Sequence, residues 1–316
     1  MKFNHKLRSI VLLVLLMSTI KTFAQYESED DPNDPANFKR HKGFYVGVFL
    51  GGYVPNKYTA ASYNGYGFDL DGNKNSFVDS WMYQKIHIQY GGEGTLSTQP
   101  DQIAVALGVD PGATSPKEWS FDQSDMPDHM KYAAGFLLGI NGYYAINKKN
   151  GVLLNINFVK LNVTGSFTMG RRKKNSSSTA TDSVLTFGIV GSEQRILFQL
   201  GYQLMLTNSQ KTNFFVEAGV NVNSTHFLKN DIEINNLAIN LVDNSNQIQY
   251  PTNTYYIRRP NKMGLGVFAG FGVDLVVGKR YTAQIVYDAA YDKINIGPDP
   301  KLKLQHAVGV RLYYRL

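Results

Sequence analysis

Three kinds of side-chain cluster in this 316-residue chain have the types that do chemistry. Ser224 and His226 stand two apart and His306 follows, so acyl transfer on a Ser–His pair is the first chemistry to test. That chemistry needs a third group to orient the imidazole, and no carboxylate stands at a fixed spacing beside the pair. Asp125, Asp128 and His129 lie close together, but no second spaced ligand group follows to complete a metal site. Asp69-Leu70-Asp71-Gly72-Asn73 has the composition of a calcium loop. A helix-flanked loop would need Gly sixth and an acid twelfth, whereas Gly72 is fourth and Ser80 twelfth, so a plain turn reads better. Arg171-Arg172-Lys173-Lys174 is a basic run, readable as a polyanion contact or as a solvated loop tip. With no cysteine in the chain, disulfides, thiolate metal sites and thiol catalysis are excluded. The expectation is a protein with no catalytic residue, no cofactor and no metal.

The remaining chemistry-bearing residues are charges embedded in alternating apolar runs, so the elements that carry them decide their meaning. From Gly43 onward the apolar residues recur with a period of two in eight segments. They are 43–54, 132–146, 151–158, 196–206, 214–222, 263–277, 281–291 and 302–316. In 43–54, Phe44, Val46, Val48 and Leu50 alternate with Tyr45, Gly47, Phe49 and Gly51. Such a pattern sets one face in an apolar medium and the other among polar or small groups. Soluble sandwiches alternate too, so the connections must discriminate. The first, third, fifth and seventh joins run to roughly 75, 15–35, 40 and 10 residues, against a usual median of about 4–6. The other joins are tight: 147–150, 208–212 and 278–280. Long loops on one rim and tight turns on the other predict an all-β, eight-stranded antiparallel transmembrane barrel. Phe44, Tyr144, Tyr202, Phe214, Tyr281 and Tyr314 fall near the short-turn rim, where a membrane girdle belongs.

These features resemble the small OmpA/OmpX-like outer-membrane barrels, and more narrowly their Bacteroidota branch. The resemblance is carried by the opening strand Gly43-Phe44-Tyr45-Val46-Gly47-Val48, the Phe23-Ala24-Gln25 cleavage region and the closing Val310-Arg311-Leu312-Tyr313-Tyr314-Arg315-Leu316. It spans about 43–55 and 131–316. Many such barrels end in an aromatic residue; this one ends in Leu316, with Tyr314 on the same face. The resemblance implies a multi-pass protein of the cell outer membrane. That branch includes anchors and accessory subunits of secretion and gliding machines.

Residues 1–24 read as a secretory signal, with Lys2, Lys6 and Arg8 ahead of a short apolar core. Its removal lowers the formal charge of +7 by four basic residues, and the mildly basic remainder makes a nucleic-acid partner unexpected. Residues 25–42 read as a polar periplasmic tail and 43–316 as the barrel, with long extracellular loops at 56–130 and 229–262. An eight-stranded barrel is narrow enough for side chains to fill. Glu217, Asp274, Asp288, Arg311 and Arg315 are therefore read as a lumen plug, with Asp288 opposite Arg311; a narrow charged path is the alternative.

Above Phe158 and Ile196 the pattern changes hands. Leu161, Val163, Phe167, Leu185, Phe187 and Ile189 put apolar groups on the inner face, with Asn162, Thr164 and Ser166 outside. Beyond the membrane the outer face meets water, so the inner face needs an apolar partner. The aromatic-rich first loop and the Ile232–Leu241 run supply one, so a folded cap is expected. The partners expected are outer-membrane lipid and other outer-membrane or periplasmic proteins.

Overall fold

The computed structural model describes residues 41–69, 72–87, 99–110, 118–173, 181–207, 209, 211–242, 248–249, 254–255, 261–297 and 299–316. Residues 1–24, read as a secretory signal, and nearly all of 25–42, read as a tail, lie outside these residues. Eight long strands form the barrel: β1 Gly43–Val54, β2 Gly135–Ala145, β3 Asn150–Lys173, β4 Thr181–Met205, β5 Thr212–Ile234, β6 Asn261–Val276, β7 Tyr281–Lys293 and β8 Leu302–Arg315. Each is antiparallel to the next, and β8 pairs back onto β1, with Tyr45 opposite Arg315 and Val54 opposite His306. The ring is closed, so among the described residues no strand edge is left unpaired at membrane height, which a lipid environment requires.

The period of two sorts the side chains as expected. Phe44, Val48, Leu50, Phe136, Leu138 and Ile140 are exposed on the outside, while Tyr45, Phe49, Tyr53 and Leu137 are buried within. An exterior of Val, Leu, Ile and Phe is stable only against an apolar medium. The fold is an antiparallel, eight-stranded transmembrane β-barrel with its long loops gathered at one end.

Three expectations need correction. The third connection is shorter than the 15–35 residues expected: β3 and β4 run on to Lys173 and Thr181, because their inner faces stay apolar and find a partner. Nor does the fifth strand stop near Val222. It continues to Ile234, so residues 229–234 belong to the wall, then turns at Asn235, whose φ is 51°, into a short strand Leu237–Asn240. In the last hairpin, Asp288 faces Ala307, and Arg311 faces Gln284.

The extension of β5 depends on a bulge. Between β4 and β5 the register steps from Glu193↔Phe227 to Ser192↔Lys229, leaving Leu228 as the extra residue. One extra residue reverses every side chain beyond it. Below it the odd positions Asn221, Asn223, Thr225 and Phe227 are buried; above it the even positions Asn230, Ile232 and Ile234 are.

The first connection folds into a 3-10 helix Lys57–Tyr63 and two short helices, Trp81–His87 and Gln99–Leu107. The Asn56 side chain caps the first, accepting from the Tyr58 backbone N–H at 2.9 Å. Tyr63, Trp81, Met82, Ile86, Ile103 and Phe121 from this connection form one apolar cluster with the upper faces of β3, β4 and β5. Ile294 and Ile296, from the connection before β8, join it.

Candidate functional site

The lumen is filled in layers. At the short-turn end Tyr45, Tyr143, Leu153 and Tyr313 pack together. Above them lies a polar layer built around Arg311, whose side chain is 1% exposed. Its Nη1 and Nη2 donate to the two oxygens of Glu217, each at 2.7 Å, and Nη2 also donates to Asp288 Oδ2 at 2.9 Å. Glu217 lies on β5 and Arg311 on β8, so the fork crosses the lumen rather than following the wall. Two parallel charge-assisted hydrogen bonds fix both distance and plane. Gln203 donates to Glu217 at 2.9 Å, while Gln284 donates to Gln203 at 3.3 Å and to Asp274 at 2.8 Å. The glutamines carry the layer across to β4 and β7. Gly270 leaves room for it, since a Cβ there would collide with the Asp288 carboxylate.

Of the five residues read as a plug, Glu217, Asp288 and Arg311 meet in this ion-pair layer, and Asp274 joins through Gln284. Arg315 does not. It sits at the short-turn end of β8 opposite Tyr45, half-buried and one layer lower. Asp288 reaches Arg311 diagonally, four residues off the register expected for it.

A second buried arginine escaped the sequence reading. Arg195 and Glu193 are both wholly buried at the mouth, beside the bulge, and form an ion pair at 2.5 Å. Arg195 donates to the Tyr53 hydroxyl at 3.2 Å, to Thr59 at 3.3 Å and to the Tyr132 hydroxyl at 3.2 Å. Glu193 accepts from the hydroxyls of Tyr63 at 2.7 Å and Tyr132 at 3.0 Å. Burial, then the Glu193 charge, raises the Tyr63 phenol well above the usual tyrosine range. Glu193 and Arg195 are both odd-numbered, on the inner face, in the stretch where the outer face changes from lipid to water. Two opposite charges there were the available signal.

Above this pair stands the cap. Val163, Phe167 and Ile189 are buried on the inner faces of β3 and β4, as is Phe187, and Leu185 is half-buried against the same cluster. Leu161, expected there too, is buried in a separate cluster inside the barrel, with Tyr53, Leu137 and Val159. Phe167 meets Phe121 edge-on at 6.2 Å between centroids, and Tyr63 stacks on Phe227 at 4.6 Å. At the other rim, Tyr144 packs on Phe44 at 4.5 Å and Tyr281 on Tyr314 at 5.3 Å, with Tyr202 and Phe214 exposed on the outer face.

The catalytic candidates are dispersed. Ser224 and His226 lie on the outward face of β5, opposite Met263 and Asn261, and among the described residues no carboxylate bonds to His226. His306 also faces outward, its Nδ1 2.6 Å from the Tyr287 hydroxyl. Asp125 caps its own 3-10 turn, accepting from the Asp122 backbone N–H at 2.8 Å, while Asp128 and His129 pair in solvent. No group of three or more metal-ligating side chains forms among the described residues. Asp69 accepts from the Asn73 backbone N–H at 2.7 Å, closing a turn; Leu70 and Asp71 lie outside the described residues. The basic run begins on β3, with Arg171 opposite Trp119, and Lys174 lies outside the described residues.

The closed ring, its apolar exterior and its filled interior define the class: an integral membrane barrel of the outer-membrane type. No protein-family model matches the chain, and no curated protein matches it in sequence. Among solved structures it is similar to the Neisserial surface protein A, at 10% identity over 87% of this chain and 97% of that one, with a TM-score of 0.38. It is similar to OprG of Pseudomonas aeruginosa, at 13% identity over 87% and 98%, with a TM-score of 0.38. Ail of Yersinia pestis, solved with the heparin analogue sucrose octasulfate, matches at 10% identity over 87% and 99%, with a TM-score of 0.32. All three are small outer-membrane barrels.

Proposed function

We propose that this protein is a non-enzymatic, non-conducting barrel of the cell outer membrane that holds a rigid cap above the surface. In that role it serves as an accessory or anchoring subunit of a larger outer-membrane assembly, protein secretion or gliding machinery among the candidates. The observation that carries the reading is the double closure of the axis: the Arg311 layer crosses the lumen and the Arg195 pair ties the cap over its mouth. A barrel closed twice is poorly built for transport. The surfaces left for contact with neighbours are the cap and the lipid-facing wall.

The test is a tagged purification from native outer membrane in mild detergent, with sizing and mass spectrometry. Stoichiometric envelope proteins that stay bound would support the subunit role and name the machine. A lone barrel that migrates faster unheated than boiled would sink it. In planar bilayers the purified barrel is expected to stay silent, and steady unitary currents would overturn the non-conducting part. A surface receptor that uses the cap is the second reading, favoured by the buried side chains that fasten the first connection to the wall.

A further inference from the structure

The seam between the first connection and the one before β8 holds a cavity of about 170 Å³. It adjoins the upper closure, with which it shares Thr59. Tyr58, Tyr66 and Phe68 supply its aromatic walls, with Asn64, Lys74 and Asp299 as its polar groups. The floor is built rather than draped. The Tyr66 carbonyl accepts from the Trp81 backbone N–H at 3.2 Å and from Asn75 Nδ2 at 3.1 Å, and the Met82 N–H bonds to the Gly65 carbonyl at 2.9 Å. Gly67, at a φ of 69°, lies against the Trp81 ring with no space for a Cβ. Phe68 and Lys74 are bridged across a tight turn, which puts Lys74 Nζ 3.7 Å above the centre of the Tyr66 ring.

The charge around this cavity is unbalanced. Asp299 is engaged by Lys301 at 2.7 Å and by the Tyr58 hydroxyl at 3.2 Å. Lys303 stands over the Tyr58 ring at 4.8 Å. Among the described residues no carboxylate pairs with Lys74. Three ammonium groups against one carboxylate attract an anion, and aromatic faces accept the C–H face of a sugar ring. The volume is well below the roughly 300–1,000 Å³ of drug-sized sites, so it suits one ring rather than a chain.

We propose that this seam is a binding site for an anionic sugar, a phosphorylated or sulfated monosaccharide unit, with Lys74 as its anion contact and Tyr66 as its stacking platform once the Lys74 ammonium swings off the ring it covers. Such a unit occurs both in membrane-anchored glycolipid and in soluble polysaccharide. The site stands just above the lipid-facing Leu302 and Leu304, within reach of either. The proposal is independent of the subunit role.

The experiment is calorimetric titration of the full-length barrel in detergent with glucose 6-phosphate, glucose 6-sulfate, glucose and inorganic phosphate. The two anionic sugars should bind saturably, and glucose and phosphate at least about tenfold more weakly. Lys74→Met and Tyr66→Leu should each weaken binding by about tenfold or more, with the unheated mobility of the barrel unchanged. Saturable binding abolished by lipopolysaccharide nanodiscs would assign the sugar to the membrane; competition by heparin alone would assign it to a soluble glycan. No saturable heat from either anionic sugar would overturn the proposal. So would glucose binding as tightly as its phosphate, or affinities untouched in both variants.

Discussion

Two buried arginines sit in one lumen and hold different things together. Arg311 joins wall to wall, with partners on β5 and β7 that belong to the barrel itself. Arg195 joins wall to loop: Thr59 and Tyr132, and Tyr63 through Glu193, all come from the first connection. Arg311 has two carboxylates and Arg195 one, its remaining donors being met by hydroxyls and by Gln305. The difference follows from position. At membrane height every neighbour of an inner side chain is another strand, and only charge on the strands can satisfy it. At the mouth the strands have risen out of lipid, and a loop can bring Tyr and Thr hydroxyls to the same kind of centre. The lower centre shapes the barrel; the upper one decides whether the cap is seated.

The strongest way to break this distinction is Arg311→Met. It strands Glu217 and Asp288 in the lumen and should destabilise the barrel by about 3–5 kcal/mol. The readout is the temperature at which the heat-resistant, fast-migrating form is lost on gels. Replacing all three together, with Glu217→Gln and Asp288→Asn added, should recover most of the loss, because an uncharged lumen leaves no unpaired charge. If Arg311→Met left that temperature unchanged, the lower centre would not be structural.

Arg195→Met strands the buried Glu193, which keeps two tyrosine hydroxyls, so it should cost about 3 kcal/mol, the low end for a broken buried pair, but in a different place. The barrel should keep its heat-resistant mobility while proteases gain access to residues 56–130. Equal loss of barrel and cap would erase the distinction between the centres. Gly270→Ala adds a finer test of the lower one. Its Cβ would collide with the Asp288 carboxylate and lie 3.0 Å from the Tyr287 carbonyl oxygen, an overpacking worth about 1–3 kcal/mol. The barrel transition should fall while cap proteolysis stays unchanged.

The two centres were unequally legible in the sequence. Alternation of period two is direct in Phe44 to Leu50 and in Val152 to Phe158, so the strands and their faces could be read. Glu217 and Arg311 stood out as charges on otherwise apolar or small-residue runs. Register is a different quantity. Pairing Asp288 with Arg311 looked sensible by charge, yet a guanidinium spans four residues diagonally, so charge could not locate the turn. Glu193 and Arg195 were hidden because they fall where two patterns meet, between the lipid-facing Ile196 and the cap-facing Ile189. Leu228 was invisible for a related reason. A single extra residue leaves alternation intact on either side of it, and only the burial of both Phe227 and Ile232 reveals the switch. The cap was legible in its apolar content, but not its fastening, which depends on hydroxyls of Tyr53, Thr59 and Tyr132 brought together across the chain.

Alkaline pH should separate the two centres with the smallest perturbation. Tyr63 is buried against Glu193, and its phenol is held well above 10 in the folded cap, by burial first and the carboxylate second. In the unfolded chain it ionises near the usual value of about 10. Above that pH the unfolded cap gives up a proton that the folded cap keeps. The cap's stability is therefore complete below about pH 10 and falls as pH rises, by at most about 1.4 kcal/mol per unit for this one group. Tyr132, raised in the same direction by burial, adds to the slope. Proteolysis of residues 56–130 should accelerate between about pH 10 and 11. Tyr63→Phe should blunt that acceleration, since phenylalanine has no proton to lose, while costing the cap a hydrogen bond at neutral pH. A cap equally protected at both pH values would mean that the Tyr63 and Tyr132 phenols are not buried beside Glu193 in the folded cap.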